Sequence, residues 1–315
     1  MVLRADPLRP SRPKRESRVR LAPAALGAAR KYVEAAAAYR EALRAGGAKW
    51  SGRPEAADAL LQALSLAHDA PPCVAAARDL LPTLPPGSAG ARVAAAGLAC
   101  AAELDAAGGS AEAIRALEPA ARSALAFPGV LADDRSGLFD ALLGARKASG
   151  DEKGAKAVAA EWLGWIESES ARAPTPMGRS AFDGSRLTAA MALGDVPRVI
   201  PALEASARAL PDQYFALAYL ARGYLEAGRP REAAASAKAA AALAEGPRKV
   251  NVLLVEAKAL RAAGDLAGAR AAADEAIRHG ESLPEALRPK GVLKAVGALR
   301  DDLTPGEPAK SPAGH

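Results

Sequence analysis

Glycine returns along this chain at a spacing that an ordinary globular core has no reason to keep. Gly108, Gly150, Gly194, Gly228 and Gly264 each follow one apolar-periodic stretch and precede another, at separations of 42, 44, 34 and 36 residues. Glycine reaches positive φ without steric cost, so it commonly closes the last turn of a helix. A glycine that recurs in this way marks helical hairpins repeated along the chain, each exposing an apolar face that only its neighbour can bury. Hydrophobic residues make up 50% of the chain and aromatics only 4%, with alanine dominating the apolar set. Alanine is the best helix former, and its small side chain lets helices approach closely.

The other punctuation agrees. Gly46-Gly47, Pro71-Pro72, Pro82 to Gly90, Pro128-Gly129, Pro174 to Pro176, Pro211-Asp212, Gly246-Pro247 and Pro284 interrupt the apolar periodicity where helices should stop and start. No alternating β-branched run is long enough to predict a strand. The expected organisation is a disordered basic arm over 1–20, weakly repetitive helical hairpins over 21–90, helical repeats over 91–303 that are clearest at 180–280, and a disordered tail over 304–315.

The best-defined unit lies between Pro211 and Ala241. Leu217, Leu220, Ala221 and Tyr224 share one face of a first helix, Gly228 makes the turn, and Ala233, Ala237 and Ala240 line a second. The next unit repeats this with Leu253, Ala257 and Leu260, then Gly264, then Ala269, Ala273 and Ala276. Around Gly194 the equivalents are Leu187, Ala190, Val199 and Leu203; around Gly150 they are Phe139, Leu142, Leu143, Ala155, Ala159 and Trp162. This pattern resembles the tetratricopeptide repeat. The resemblance implies an all-α fold, a right-handed α-solenoid of stacked antiparallel helix hairpins, with a concave groove that binds peptide or protein segments. A second resemblance rests on Tyr39-Arg40-Glu41-Ala42-Leu43, Pro211-Asp212-Gln213-Tyr214 and Gly246-Pro247-Arg248-Lys249, strings similar to the helical tail behind thioredoxin-like domains in some high-GC bacterial proteins. On that kinship the catalytic domain is lacking, because no Cys-x-x-Cys is present, and no redox activity carries over.

Charge narrows the partners. The formal net charge is +6, but residues 1–20 carry seven basic side chains against Asp6 and Glu16, which leaves about +1 for the rest. A near-neutral body offers no phosphate-neutralising stripe, so nucleic acid is not the expected partner. The two cysteines, Cys73 and Cys100, are read as small buried hydrophobes in apolar helices. No run approaches the roughly 20 apolar residues of a membrane span, and no apolar stretch follows the first basic residues as in a secretory signal. The expected location is the cytoplasm; the sequence does not specify an oligomeric state.

No His-Glu-x-x-His helix, phosphate loop, dinucleotide fingerprint or nucleophile elbow occurs, and no cofactor or metal is expected. His68 and His279 stand near helix C-termini, where the dipole favours them. Asp133-Asp134 and Asp301-Asp302 are read as capping carboxylates. Trp162, Trp165 and Ile166 are read as inter-helix packing. The chain is therefore expected not to be an enzyme. On the face opposite the core, 100° per residue places Phe215, Ala218, Arg222 and Glu226 on one helix, and Asn251, Leu254, Lys258 and Arg261 on the next. The expected peptide groove comprises Phe215, Arg222, Glu226, Asn251, Lys258 and Arg261. Its cations can hold an acidic side chain or a C-terminal carboxylate through charge-assisted bonds.

Overall fold

Hairpin after hairpin is closed by the same turn, and its hydrogen bond explains why. The computed structural model describes residues 32–104 and 109–303. At Gly150, Gly194, Gly228 and Gly264, φ lies between 72° and 85°. The residue that follows each glycine donates its N–H five residues back: Asp151 to Arg146, Asp195 to Ala190, Arg229 to Tyr224 and Asp265 to Leu260, at 2.8–3.0 Å. This is the Schellman closure, which satisfies carbonyls that the helix end leaves open. Gly108, the basic arm at 1–20 and the tail at 304–315 fall outside the described residues.

The described residues contain helices and no strand. They divide into two compact units that meet in sequence at 158/159. The first holds α1 (Tyr32–Gly46), α2 (Arg53–Leu66), α3 (Ala70–Leu80), α4 (Ser88–Glu103), α5 (Ser110–Ala126) and α6 (Ala132–Ala148). α7 (Glu152–Arg172) contains the division. The second unit continues with α8 (Pro176–Ser180), α9 (Asp183–Leu193), α10 (Ile200–Ala209), α11 (Tyr214–Glu226), α12 (Pro230–Leu243), α13 (Gly246–Ala262), α14 (Leu266–Ser282) and α15 (Lys290–Asp302).

In the first unit α2 packs on α4 and α4 on α6, while α3 and α5 pair across from them. In the second unit α9, α11, α13 and α15 form one row, each touching the next, and α12 and α14 fill the gaps behind them. Alternate helices thus make two rows, the arrangement expected of stacked hairpins. Ala233, Ala237, Ala240, Ala269, Ala273 and Ala276 are all fully buried between rows. The residues that the repeat pattern assigned to the core around Gly150 and Gly194 are buried as well, with Trp162 among the largest.

Several expectations need correction. Cys73 and Cys100 are not free thiols: they form a buried disulfide between α3 and α4, with Cα atoms 6.1 Å apart. Neighbouring helices bring the two residues within bonding range, which a spacing of 27 along the chain does not reveal. Pro71 and Pro72 do not separate helices; they occupy the first turn of α3, where no N–H is needed. The break after Pro82 ends at Ser88, so Gly90 lies inside α4. Asp301 and Asp302 close α15 and do not cap a helix start; Asp302 lies 3.7 Å from Arg261. Asp134 does sit in the first turn of α6, yet its carboxylate meets Arg92 at 3.1 Å.

The two histidines among the described residues are structural in different ways. His68 has φ 53° and takes the position that glycine holds in the other turns, with Asp69 N–H donating to Leu64 O at 3.1 Å. His279, in the last turn of α14, sets its Nε2 3.0 Å from the carbonyl of Gly246. Trp165 meets Phe182 edge to face at 5.8 Å, which agrees with a packing role.

Candidate functional site

Two helices of the second unit supply a cleft. α11 is fixed by Ala216, Leu220, Ala221 and Tyr224, which face the core, and by Gly223, whose missing side chain lets Leu203 and Ile200 of α10 pack against its backbone. α13 is held by Val250, Leu253 and Ala257 in the same way. With the apolar stripes turned inward, the residues about two positions away, roughly 200° round the helix, turn outward. Between the outward faces of α11 and α13 lies a cleft of about 450 Å³.

Of the residues expected in a groove, the structure brings Phe215, Arg222, Asn251 and Lys258 to this cleft. Glu226 and Arg261 lie one turn beyond it. Glu226 follows Arg222 by a full turn and is exposed, while Arg261 is engaged by Asp302 of α15. Among the contributors that were not anticipated are Tyr214, Tyr219 and Arg248. Arg248 is one turn before Asn251 and Tyr219 is one turn after Phe215, so the same helical count, carried one step further, would have found both.

The floor is aromatic and aliphatic. Tyr214 and Phe215 pack edge to face at 5.9 Å, Tyr219 rests against the bare backbone of Gly184 in α9, and Leu254 and Val255 complete the α13 side. The guanidinium of Arg248 stands 5.7 Å from the centre of the Tyr214 ring, within cation–π range. Asn251 returns one amide N–H to the carbonyl of Pro247 at 3.0 Å, leaving its other N–H and its carbonyl facing outward.

The electrostatics are one-sided. Arg222, Arg248 and Lys258 line the cleft and no carboxylate does. Several other cations of this unit are paired: Arg229 with Glu232 and Glu204, Lys249 with Glu275, Arg198 with Glu167, and Arg300 with Asp274. In the first unit Arg92 joins Asp58 to Asp134, tying α2, α4 and α6. Burial and a neighbouring Glu275 raise the carboxyl of Glu256, which lies on α13 away from the cleft lining. Chemically, the cleft can attract and orient an anionic chain; it has no nucleophile paired with a base. Among the described residues no group of three or more His, Cys, Asp or Glu is placed to hold a metal, and no helix is long and apolar enough to cross a membrane.

No protein-family model matches the chain, and no curated protein sequence matches it. Solved structures do resemble it. A tetratricopeptide repeat protein from Parabacteroides merdae superposes with a TM-score of 0.50 at 10% identity, over 90% of this chain and 98% of the other. The TPR2AB domain of yeast Sti1, in complex with an HSP90 peptide, covers 91% of this chain and 98% of its own, at 13% identity and a TM-score of 0.33. The second likeness is too distant to carry an argument; the first, with the repeated glycine turns and the two rows of helices, defines the architecture. By fold, this chain is an all-α helical-repeat protein of the tetratricopeptide type.

Proposed function

We propose that this protein is a non-enzymatic interaction module whose α11–α13 cleft binds an acidic, partly apolar peptide segment of a protein partner. The observation that carries this reading is the trio Arg222, Arg248 and Lys258, set over an aromatic floor with no carboxylate in the lining. Three cations that converge on one cleft over aromatic rings, with no carboxylate beside them, form a recognition surface. Charges arranged in this way steer and select an anionic partner more than they tighten it, and the aromatic floor supplies the apolar contact area. The volume falls within the range of ligand-binding clefts. Glu226 and Arg261 take no part in the lining.

Two labelled peptides of equal length test this: one rich in Asp and Glu with interspersed Leu, the other with Lys replacing the acids. Anisotropy titration should show saturable binding of the first only. The combined variant Arg222→Ala, Arg248→Ala and Lys258→Ala should weaken it at least about ten-fold, one tenfold step being about 1.4 kcal/mol, with helicity unchanged. Equal binding of both peptides, or unchanged affinity in the variant, removes the proposal.

A second reading, an accessory helical component of an envelope system, is favoured by one observation, the Cys73–Cys100 disulfide. Disulfides persist in oxidising compartments and are rare in the cytosol, which argues against the cytoplasmic location expected from sequence. Thiol counting on protein taken directly from its native cells tests it, and two free thiols would sink this reading.

A further inference from the structure

Three arginines of this chain each hold two carboxylates with a single guanidinium. Arg92 takes Asp58 and Asp134, Arg146 takes Glu118 and Asp151, and Arg229 takes Glu204 and Glu232. Arg186 is set apart by its burial. It is the buried arginine of the described residues, 5% exposed, and it holds one carboxylate only. Its Nη1 donates to Asp183, and its Nη2 donates to the Ser170 hydroxyl at 2.8 Å. Glu167 also acts on it through space, and the guanidinium lines a cavity of about 180 Å³.

The lining of that cavity is selective. Its polar groups are Ser170, Arg179, Arg186 and Ser206, all able to donate, and none is a carboxylate. The Ser170 and Ser206 side chains are themselves more than nine-tenths buried. The opposite wall is the face of α10 formed by Ala202, Ala205 and Ala209, where small side chains keep the space open. Asp183 is fully buried, and its Oδ2 has no hydrogen-bond partner even though the Ser206 hydroxyl lies near enough to favour the charged carboxylate. Burial raises the Asp183 carboxyl and lowers the Arg186 guanidinium, the signature of a desolvated pair that its surroundings compensate incompletely.

We infer that this cavity is a binding site for a small aliphatic carboxylate, which completes the coordination of Arg186 opposite Asp183. The carboxylate accepts from the free N–H groups of Arg186 and from the two serine hydroxyls, Arg179 stands at the rim, and the alanine wall receives a short hydrocarbon tail. The cavity is smaller than a drug-sized pocket, so the ligand is of acetate-to-butyrate size. This site shares no lining residue with the α11–α13 cleft.

The test uses the full-length protein and titrates it separately with acetate, butyrate and inorganic phosphate, following the backbone amide signals of Ser170 and Ser206 by NMR. Butyrate should give saturable shifts at both. Ala205→Leu, which fills the cavity from the wall, should abolish them, and the Arg222, Arg248 and Lys258 triple variant should leave them intact. Ser206→Ala, a smaller change that keeps the fold, should weaken binding several-fold. Absence of saturable shifts with either carboxylate overturns the inference. So does binding that survives both Ala205→Leu and Ser206→Ala, and so does tighter binding of phosphate than of butyrate.

Discussion

Ala77 of α3 and Gly97 of α4 meet so closely that a Cβ on Gly97 would lie 2.6 Å from the Cβ of Ala77. One turn away the same two helices are joined covalently through Cys73 and Cys100. The seam is therefore closed twice, by a small-residue contact and by a disulfide. Neither atom at the contact can rotate away, since both are fixed to backbone. Gly97→Ala should destabilise the protein by about 1–3 kcal/mol, the usual cost of overpacking, although alanine is the better helix former. Chemical denaturation of the variant measures this; equal or higher stability would show that the seam can open at little cost.

Reduction should act on the first unit. Closing a loop of 27 residues contributes on the order of 3 kcal/mol through the unfolded state. The double variant Cys73→Ala and Cys100→Ala should lose about that much. Hydrogen exchange should quicken in α3 and α4 while the amides of α11–α14 keep their protection. Uniform loss of protection would mean that the two units unfold as one.

The turn at His68 offers a gain in stability. A residue with a Cβ at φ 53° carries a steric cost of about 1 kcal/mol that glycine avoids. His68→Gly should raise stability by a fraction of that to the whole, because glycine also loosens the unfolded chain. The histidine has one partner to lose, Glu103 at 3.5 Å across exposed surface, and such pairs contribute little. A fall in the denaturation midpoint would contradict this account.

Tyr224 links the base of the best repeat to its neighbour. Its hydroxyl donates to Glu204 at 2.8 Å, and the guanidinium of Arg229 lies 4.2 Å above its ring. Tyr224→Phe should cost about 1 kcal/mol by removing a hydrogen bond to a charged acceptor, with Arg229 and Arg208 still facing Glu204. Burial, aided by the bond to Glu204, raises the Tyr224 hydroxyl above its usual 10.0. A raised value favours the protonated form in the folded state, so the contribution is complete below about pH 10 and is lost as pH rises through the folded value. Stability measured from pH 8 upward should fall less steeply in Tyr224→Phe than in the parent; identical profiles would rule the linkage out.

Asp151 works at the opposite end of the pH scale. It accepts from the N–H of Gly154 at 2.8 Å and pairs with Arg146 at 2.7 Å, capping α7 just after the Gly150 turn. The Gly154 bond chiefly, with Arg146 behind it, lowers its carboxyl below the ordinary 3.8. A lowered value means stability present above that ordinary value and lost as pH falls through the folded one. Asp151→Ala should lower stability at neutral pH and flatten the acid limb of the stability profile below pH 4. An unchanged limb would assign the acid sensitivity elsewhere.

The sequence by itself determined the hairpins. Gly150, Gly194, Gly228 and Gly264 are legible because only a residue at ease with positive φ closes a helix in this way, and the alanines at 233, 237, 240, 269, 273 and 276 are legible because a 3.6-residue period needs no partner to be seen. The outward faces of α11 and α13 followed from the same count. What the count could not reach depends on which helices become neighbours. His68 closes a turn of the same kind without the glycine that advertises it. Cys73 meets Cys100, and Asp302 meets Arg261, only because separate helices are packed side by side. Tertiary packing likewise decided that Arg222 and Lys258 share a cleft with Arg248 and Tyr214, that Glu226 stands outside it, and that the buried Arg186 lines a cavity with Ser170 and Ser206. Periodicity specifies which way a side chain points along its own helix. Its partner is chosen by the helix that arrives opposite, and that choice is made in three dimensions.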